Sequence, residues 1–290
     1  MAKANPLLRD WLFNFTEMTL SIIIVNWNTK ELIKKCIESI FNTTQQNELN
    51  YEVIVIDNGS ADGSHEYLQS LGNKIVLISN ETNRGYAAAC NQGMKQALGK
   101  YILLLGSDTL MLKDTLSICV DYLDNNTKAG AVGCKLLNPD GTAQNSCKKF
   151  PTLKNAFFAY LSLDNLNRSY DMADFSYDKT ISVDQIATTF LMIRAEVLQS
   201  TGMFDESYRI LYNDVDLCKR IKNGGWEIIF LHTCCIYHLG SHSTKQADFA
   251  LRKKMYGDIY RYYCRNFGFK AKFLYPILVF RLIVVTTIKS

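Results

Sequence analysis

Several features that would fix a function at sight are missing from this 290-residue chain. No G-x-G-x-x-G follows the first apolar run, where the turn reads Asn26-Trp27-Asn28-Thr29, so a dinucleotide-dependent enzyme is disfavoured. No C-x-x-C occurs either. The cysteines number nine, an odd count, and Cys234 and Cys235 are adjacent, which suits neither a disulfide framework nor a zinc site. A reducing cytosol is the compartment this implies. Residues 1–18, read as a leader, lack an uninterrupted signal-peptide core because Arg9 and Asp10 break it, so no secretion is expected. No low-complexity tract or repeat period is present, and 48% hydrophobic with 21% charged residues is the balance of a folded protein, which excludes disordered and solenoid readings. The apolar run from Phe273 to Ile288 is shorter than the roughly 20 residues that span a bilayer, and it contains Pro276 and Arg281.

What is present is unevenly spread. The net charge is +4, yet from Lys245 onward ten Lys or Arg meet only Asp248 and Asp258, so this tail carries +8 and the preceding 244 residues −4. Such a tail calls for an anionic partner, either a membrane surface or a nucleic acid. Tyr256, Tyr260, Tyr262, Tyr263, Phe267 and Phe269 are interleaved with its charges, and the apolar run follows. That combination fits a lipid surface better, and no nucleic acid is expected. A helix lying on the rest of the protein is the alternative for the same residues.

Upstream, Thr19 to Asn26, Tyr51 to Asp57, Lys74 to Ser79 and Tyr101 to Leu105 read as strands, the first two continuous β-branched runs of the kind buried on both faces. Helices are predicted between them, over Lys30 to Phe41 and Tyr86 to Leu98. Alternating strand and helix implies an α/β fold, a mostly parallel central sheet with helices on both faces. Ligands in such sheets sit at the carboxyl ends of the strands, where Asn26, Asn28, Asp57, Asn83 and Asp108 fall. The second half has shorter strands over Ala129 to Leu137 and Ala187 to Arg194, and a late pair over Trp226 to Leu231 and Cys234 to His238. A helix from Asn213 to Lys222 ends at Gly224-Gly225.

Individual residues leave alternatives open. Asp108 directly follows the strand YILLL, where a carboxylate can hold a divalent cation with phosphate oxygens, or can serve as a helix N-cap. Asp214 and Asp216 open a helix, where they would favour its N-terminus or, facing an acceptor, remove a hydroxyl proton. His238, with His242 four residues on and Gly240 between, is a structural histidine or a metal ligand in a loop.

Taken together, SIIIVNWN, VIVIDNGSADGS, NETNRGYAAACNQG, YILLLGSD, FLMIRAEVLQSTGMFDESY, NDVDLCKRIKNGGWEI and IYHLGSHST, in this order, resemble glycosyltransferase family 2, particularly its bacterial rhamnosyltransferase-like members. The resemblance covers about Thr19 to Thr244. It implies the GT-A fold over residues 19–244, with a nucleotide-binding half (19–110) and an acceptor-binding half (111–244), followed by a basic, apolar helical tail (245–290). It implies that Asp57 contacts the nucleotide base with Asn26 and Asn28 in the same pocket, and that Asn83, Arg84 and Gly85 form the nucleotide-sugar loop. Asp108 would hold Mn²⁺ or Mg²⁺ with His238 assisting, and Asp214 would be the general base. Phe204, Asp205, Glu206 and Asp216 would shape the donor and acceptor pocket, although a helix-ending turn with Phe204 in the core reads equally well. Two positions depart from the family pattern: Gly106 replaces the first polar residue of the metal motif, and Asn213 the glutamate before the base.

The activity implied is inverting transfer of a sugar, rhamnose from dTDP-rhamnose or a sugar from a UDP donor, to a glycan or lipid-linked acceptor at the cytoplasmic face of the membrane. A non-catalytic protein of the sugar-nucleotide fold that binds a partner or glycan, and a nucleotidyltransferase, are the competing readings.

Overall fold

The computed structural model describes residues 18–44, 49–161, 163–240 and 249–287. Residues 1–17, the larger part of the expected leader, and His242 lie outside the described residues. The first half runs β1 (Leu20–Asn26), α1 (Lys30–Thr44), β2 (Tyr51–Asp57), α2 (Ser64–Ser70), β3 (Val76–Ser79), α3 (Tyr86–Gln96) and β4 (Tyr101–Gly106). Then come β5 (Thr109–Met111), α4 (Thr115–Asn125), β6 (Ala129–Leu137), β7 (Cys147–Lys148), α5 (Leu153–Tyr160), β8 (Ile181–Val183), β9 (Gln185–Ile186) and β10 (Phe190–Arg194). The chain closes with α6 (Ala195–Thr201), α7 (Asn213–Asn223), β11 (Glu227–His238), α8 (Phe249–Phe267) and α9 (Tyr275–Thr287).

The β-branched runs form strands because both of their faces are covered. Along β1, Ile22 and Ile24 pack with α1 residues Ile33 and Ile37, whereas Ile23 packs on the opposite face with Ala89 and Cys90 of α3. The same alternation splits Val53 and Val55 from Ile54 and Ile56 in β2. Each such side chain removed from water contributes about 1.5–3 kcal/mol.

Among the described residues the main sheet has nine strands, in the order β3-β2-β1-β4-β10-β6-β11-β5, with β8 also paired to β11. Strands β1 to β4, β6 and β11 share one direction; β5, β8 and β10 run against it. The expected parallel character therefore holds for most of the sheet, with β10 inserted antiparallel between β4 and β6.

The late pair of strands is corrected to one strand, β11. Its register on β6 jumps from Leu231 opposite Cys134 to Cys235 opposite Lys135, leaving His232, Thr233 and Cys234 as a bulge. Before the bulge β11 pairs with β8, and after it with β5, where His238 stands opposite Thr109.

The tail packs against the preceding part of the chain from α8 onward. Ile259, Tyr262 and Tyr263 of α8, with Leu274 and Leu278 beyond, share a core with Ala156, Tyr208 and Val215. Asp258, buried, accepts hydrogen bonds from the backbone N–H groups of Arg209 (3.0 Å), Ile210 (2.7 Å) and Leu211 (3.0 Å), the loop leading into α7. No helix among the described residues is long and apolar enough to cross a membrane.

Candidate active site

The loops at the carboxyl ends of β1, β2 and β4 meet through short polar side chains. Asn26, fully buried, donates from Nδ2 to Asp57 Oδ1 (3.0 Å) and to Ser60 Oγ (3.2 Å), and its Oδ1 accepts from Thr29 Oγ1 (2.7 Å). Thr29 Oγ1 also lies 3.2 Å from Ser107 Oγ, tying this cluster to the loop that carries Asp108. Asp57 is buried, with His65 Nδ1 3.5 Å from its Oδ2. Asn28 adopts a left-handed backbone (φ 52), and its side chain accepts from the N–H of Ala61 (2.8 Å), so it holds the β2 loop in place.

The segment expected to meet the nucleotide sugar is organised by Asn58. Its Oδ1 accepts from Asn80 Nδ2 (3.1 Å) and Arg84 N (3.0 Å), and its Nδ2 donates to Asn83 Oδ1 (3.0 Å). Asn83 Oδ1 also accepts from Gly85 N (2.8 Å). Gly85, at φ 85, is the N-cap of α3, so the positive end of that helix dipole lies beside the exposed Arg84. Gly59 must be glycine here: its φ is 78, and a Cβ would come within 2.9 Å of the Thr82 backbone.

Asp108 and His238, 130 residues apart in the chain, are brought together: His238 Nε2 lies 3.3 Å from Asp108 Oδ2. Pairing of β11 with β5 sets this distance, and Leu239 N donates to the Asp108 carbonyl at 2.8 Å. Gln144 orients the imidazole. Its Nε2 donates to the carbonyl of His238 (2.9 Å) and to Asn138 Oδ1 (2.8 Å), so its Oε1 is the acceptor for His238 Nδ1–H at 2.6 Å. In the neutral tautomer the lone pair of Nε2 then confronts a carboxylate, two acceptors face to face, which either a proton on Nε2 or a cation between the two resolves. Ligand atoms at about 2.1 Å on adjacent octahedral positions stand about 3 Å apart, close to the separation here. Among the described residues no third His, Cys, Asp or Glu joins them. A cation held by Asp108 and His238 would complete its shell with phosphate oxygens and water, as Mg²⁺ commonly does. The residues present fit that use. Gly106 fits as well, since a Cβ there would stand 2.9 Å from Asp108 Oδ1 and displace the carboxylate.

Asn91 of α3 clamps the 204–206 loop: it exchanges hydrogen bonds with the Phe204 backbone (2.9 and 3.0 Å) and donates to Glu206 Oε1 (2.9 Å). Phe204 is buried, its ring 5.9 Å from that of Tyr86. Asp205 pairs with Arg265 of α8. Burial alone would raise its pKa, but the hydrogen bonds from Arg265 and Ser207 outweigh that and hold it at about 2. Asp216, expected to line the pocket, is instead buried against Arg220 Nε (2.8 Å), with Arg265 at 3.7 Å.

Asp214 differs from all three neighbouring carboxylates. Its Oδ1 accepts from the N–H of Val215 (2.8 Å), its carboxylate is also reached by its own backbone N–H, and among the described residues no cation pairs with it. Burial pushes its pKa up, against the pull of that N–H and of the more distant Lys148. Asn213 Oδ1 accepts from Asp214 N at 2.8 Å, fixing the start of α7. Tyr86, within electrostatic reach of Asp214, hydrogen-bonds Thr188. The adjoining Thr189 carbonyl accepts from Gly106 N at 3.0 Å, which connects the two halves of the site.

A sequence profile for Glycosyl transferase family 2 matches residues 21–198, more than half of the chain. The chain belongs to glycosyl transferase family 2. Within reach of the same family, glycosyltransferase AglE of Haloferax volcanii is 26% identical over 239 residues, 81% of this chain and 70% of that protein. The N-acetylglucosaminyl-diphospho-decaprenol L-rhamnosyltransferase of Mycobacterium tuberculosis is 22% identical over 242 residues, 78% of this chain and 77% of that enzyme. In three dimensions the chain resembles GalNAc-T7, solved with UDP, GalNAc and Mn²⁺, with a TM-score of 0.61 at 15% identity over 84% of this chain and 47% of that one. The fold is therefore the GT-A fold implied by the motifs, and the family 2 chain is a sugar transferase.

Gln144, Asn91, Thr29 and Asp258 were not among the residues singled out from sequence. Asn91 carries a signal, being a polar residue in the small, apolar stretch YAAAC-N-QG; Gln144 and Asp258 carry none.

Proposed function

We propose that this family 2 protein transfers a sugar from a nucleoside diphosphate donor to a hydroxyl of a glycan or lipid-linked acceptor, with inversion at the anomeric carbon. The observation that carries the proposal is the isolation of Asp214: Asp205, Glu206 and Asp216 are tied to Arg265, Asn91 and Arg220, whereas among the described residues Asp214 has no such partner, and its pKa is raised. A carboxylate whose pKa is raised in this way is a better proton acceptor than an ordinary aspartate. As the acceptor oxygen bonds to the anomeric carbon, its proton passes to Asp214 and the bond from that carbon to the diphosphate oxygen breaks.

Asp57, with Asn26, receives the base; Arg84 and the N-terminus of α3 lie where the diphosphate is expected. Asp108 and His238 would hold Mn²⁺ or Mg²⁺, whose chemistry there is to neutralise charge on the leaving diphosphate. The rhamnosyltransferase relative favours dTDP-rhamnose as donor and a lipid-linked acceptor; the UDP-bound neighbour favours a UDP-sugar.

Melting temperature against a panel of dTDP-, UDP- and GDP-sugars, with and without Mn²⁺, tests this reading, because a ligand of the native state raises it by mass action. A metal-dependent rise with one nucleotide, lost in Asp108→Ala, is expected. No rise with any donor would count against the donor site.

A further inference from the structure

The outer surface of the tail is apolar where the inner surface is packed. Phe269, Phe273 and Phe280 are 69, 71 and 67% exposed, and Tyr275 and Val279 lie on the same exposed side of α9. Beside them, α5 and the turn after it, which contact α9 and the segment before it, expose Phe157, Leu161, Leu163 and Leu166. Two elements distant in sequence but in contact with each other thus both expose large apolar side chains, more than scattered surface residues would give. Arg281, the single charge of α9, hydrogen-bonds Tyr256 of α8 and so is drawn toward the packed side. Lysines rim the face: Lys270 and Lys272 alternate with Phe269 and Phe273, and Lys272 Nζ sits 5.0 Å over the Phe269 ring. Lys154 of α5 lies over Phe158 at 5.5 Å. Between α8 and α9 a groove of about 250 Å³, lined by Tyr256, Tyr260, Leu278 and Val279 with Lys253 at its side, opens along this region.

We propose that this face seats in an anionic lipid surface, with Phe269, Phe273 and Phe280 below the headgroups and Lys270 and Lys272 at their level. Aromatic and aliphatic side chains rimmed by lysines match a bilayer interface, whose headgroups are negative and whose acyl region is apolar. A second copy of the chain fits less well, because it would set Lys270 and Lys272 against their own images. The consequence for catalysis follows from the other side of the tail, where Asp258 and Arg265 hold the 205–211 loop: the tail that rests on lipid is the one that fixes the loop leading to Asp214. This deepens the lipid-linked acceptor reading and rests on it only for that last step.

The test uses the full chain and vesicles of phosphatidylcholine alone or mixed with phosphatidylglycerol. Cosedimentation is expected only with the mixed vesicles, weakening as salt rises. A Phe280→Trp reporter, read as the difference from wild type, should shift to the blue and be quenched by brominated lipid. Phe273→Ser/Phe280→Ser should bind at least about tenfold more weakly, at unchanged melting temperature and unchanged turnover of a water-soluble acceptor. Equal sedimentation of this variant, or no binding to anionic vesicles at low salt, overturns the proposal. So does a dimer in sedimentation that the double substitution abolishes, which would assign the face to a second copy. Because vesicle binding needs neither donor nor acceptor, its failure is distinguishable from failure of the transferase reading.

Discussion

Gln144 Oε1 accepts the Nδ1 proton of His238 at 2.6 Å and thereby leaves Nε2 to face Asp108. Histidine ligands held in this way by an outer partner lose roughly 10–100-fold in metal affinity when the partner is removed. Gln144→Leu is accordingly expected to weaken Mn²⁺ binding in the presence of nucleotide by about that factor, measured by electron paramagnetic resonance titration. Equal affinity in the Leu variant would show that Gln144 does not orient the ligand.

Removing the carboxylate charge at Asp214 should separate binding from chemistry. Asp214→Asn is expected to keep the donor-induced rise in melting temperature and to lose about 10²–10⁴ in turnover. The sign of its effect on stability is opposite. Because the folded-state pKa is raised above the unfolded value, the native protein holds this proton more tightly, and the stability it contributes is lost as pH rises through the folded pKa. At neutral pH the Asn variant should therefore melt higher than wild type. The acidic limb of kcat/KM should lie above the ordinary aspartate range; a limb near pH 4 with an unstabilised variant would contradict the assignment.

Asp258 binds three consecutive backbone N–H groups ahead of α7. Asp258→Ala leaves them without their acceptor, a loss of about 2–4 kcal/mol in urea unfolding. A milder Asp258→Asn keeps an acceptor oxygen and should raise the acceptor KM more than the donor KM, since the loop it caps leads to Asp214 rather than to Asp57.

The Asp205–Arg265 pair gives a pH-dependent signature. With the folded-state pKa of Asp205 at about 2, its stabilisation is fully present above the unfolded value near 4 and is lost as pH falls through about 2. Arg265→Met should lower the melting temperature at pH 6 and converge with wild type toward pH 2. A constant difference across that range would mean the pair acts by packing alone.

The first half of the chain was legible because its signals are local: β1, β2 and β4 are uninterrupted apolar runs, with polar residues at their carboxyl ends. The bulge in β11 was not legible, because His232 and Thr233 read as the gap between two strands; only the parallel pairing of both halves with the same strand, β6, makes them one. Asp216 stood in the sequence as a pocket carboxylate equivalent to Asp214. Which of the two is free depends on Arg220, one helical turn away, and on Arg265, in a helix whose docking no local pattern encodes. Gln144 meets His238 from 94 residues away, on a turn whose sequence specifies its own geometry and nothing of its partner.

The way β11 divides its pairing also bears on how copies of this protein can meet. A twelve-residue strand with one side open would be a template for another chain's backbone. Here β8 and β5, three residues each, occupy that side on either flank of the bulge, and at the far border the sheet ends on the four-residue β3. Borders this brief give an incoming strand little to grip. Fibrillar or domain-swapped assembly through the sheet is thus disfavoured, and the aggregation hazard in concentrated solution shifts to the aromatic face of α9, where detergent rather than a change of ionic strength is the remedy to try first.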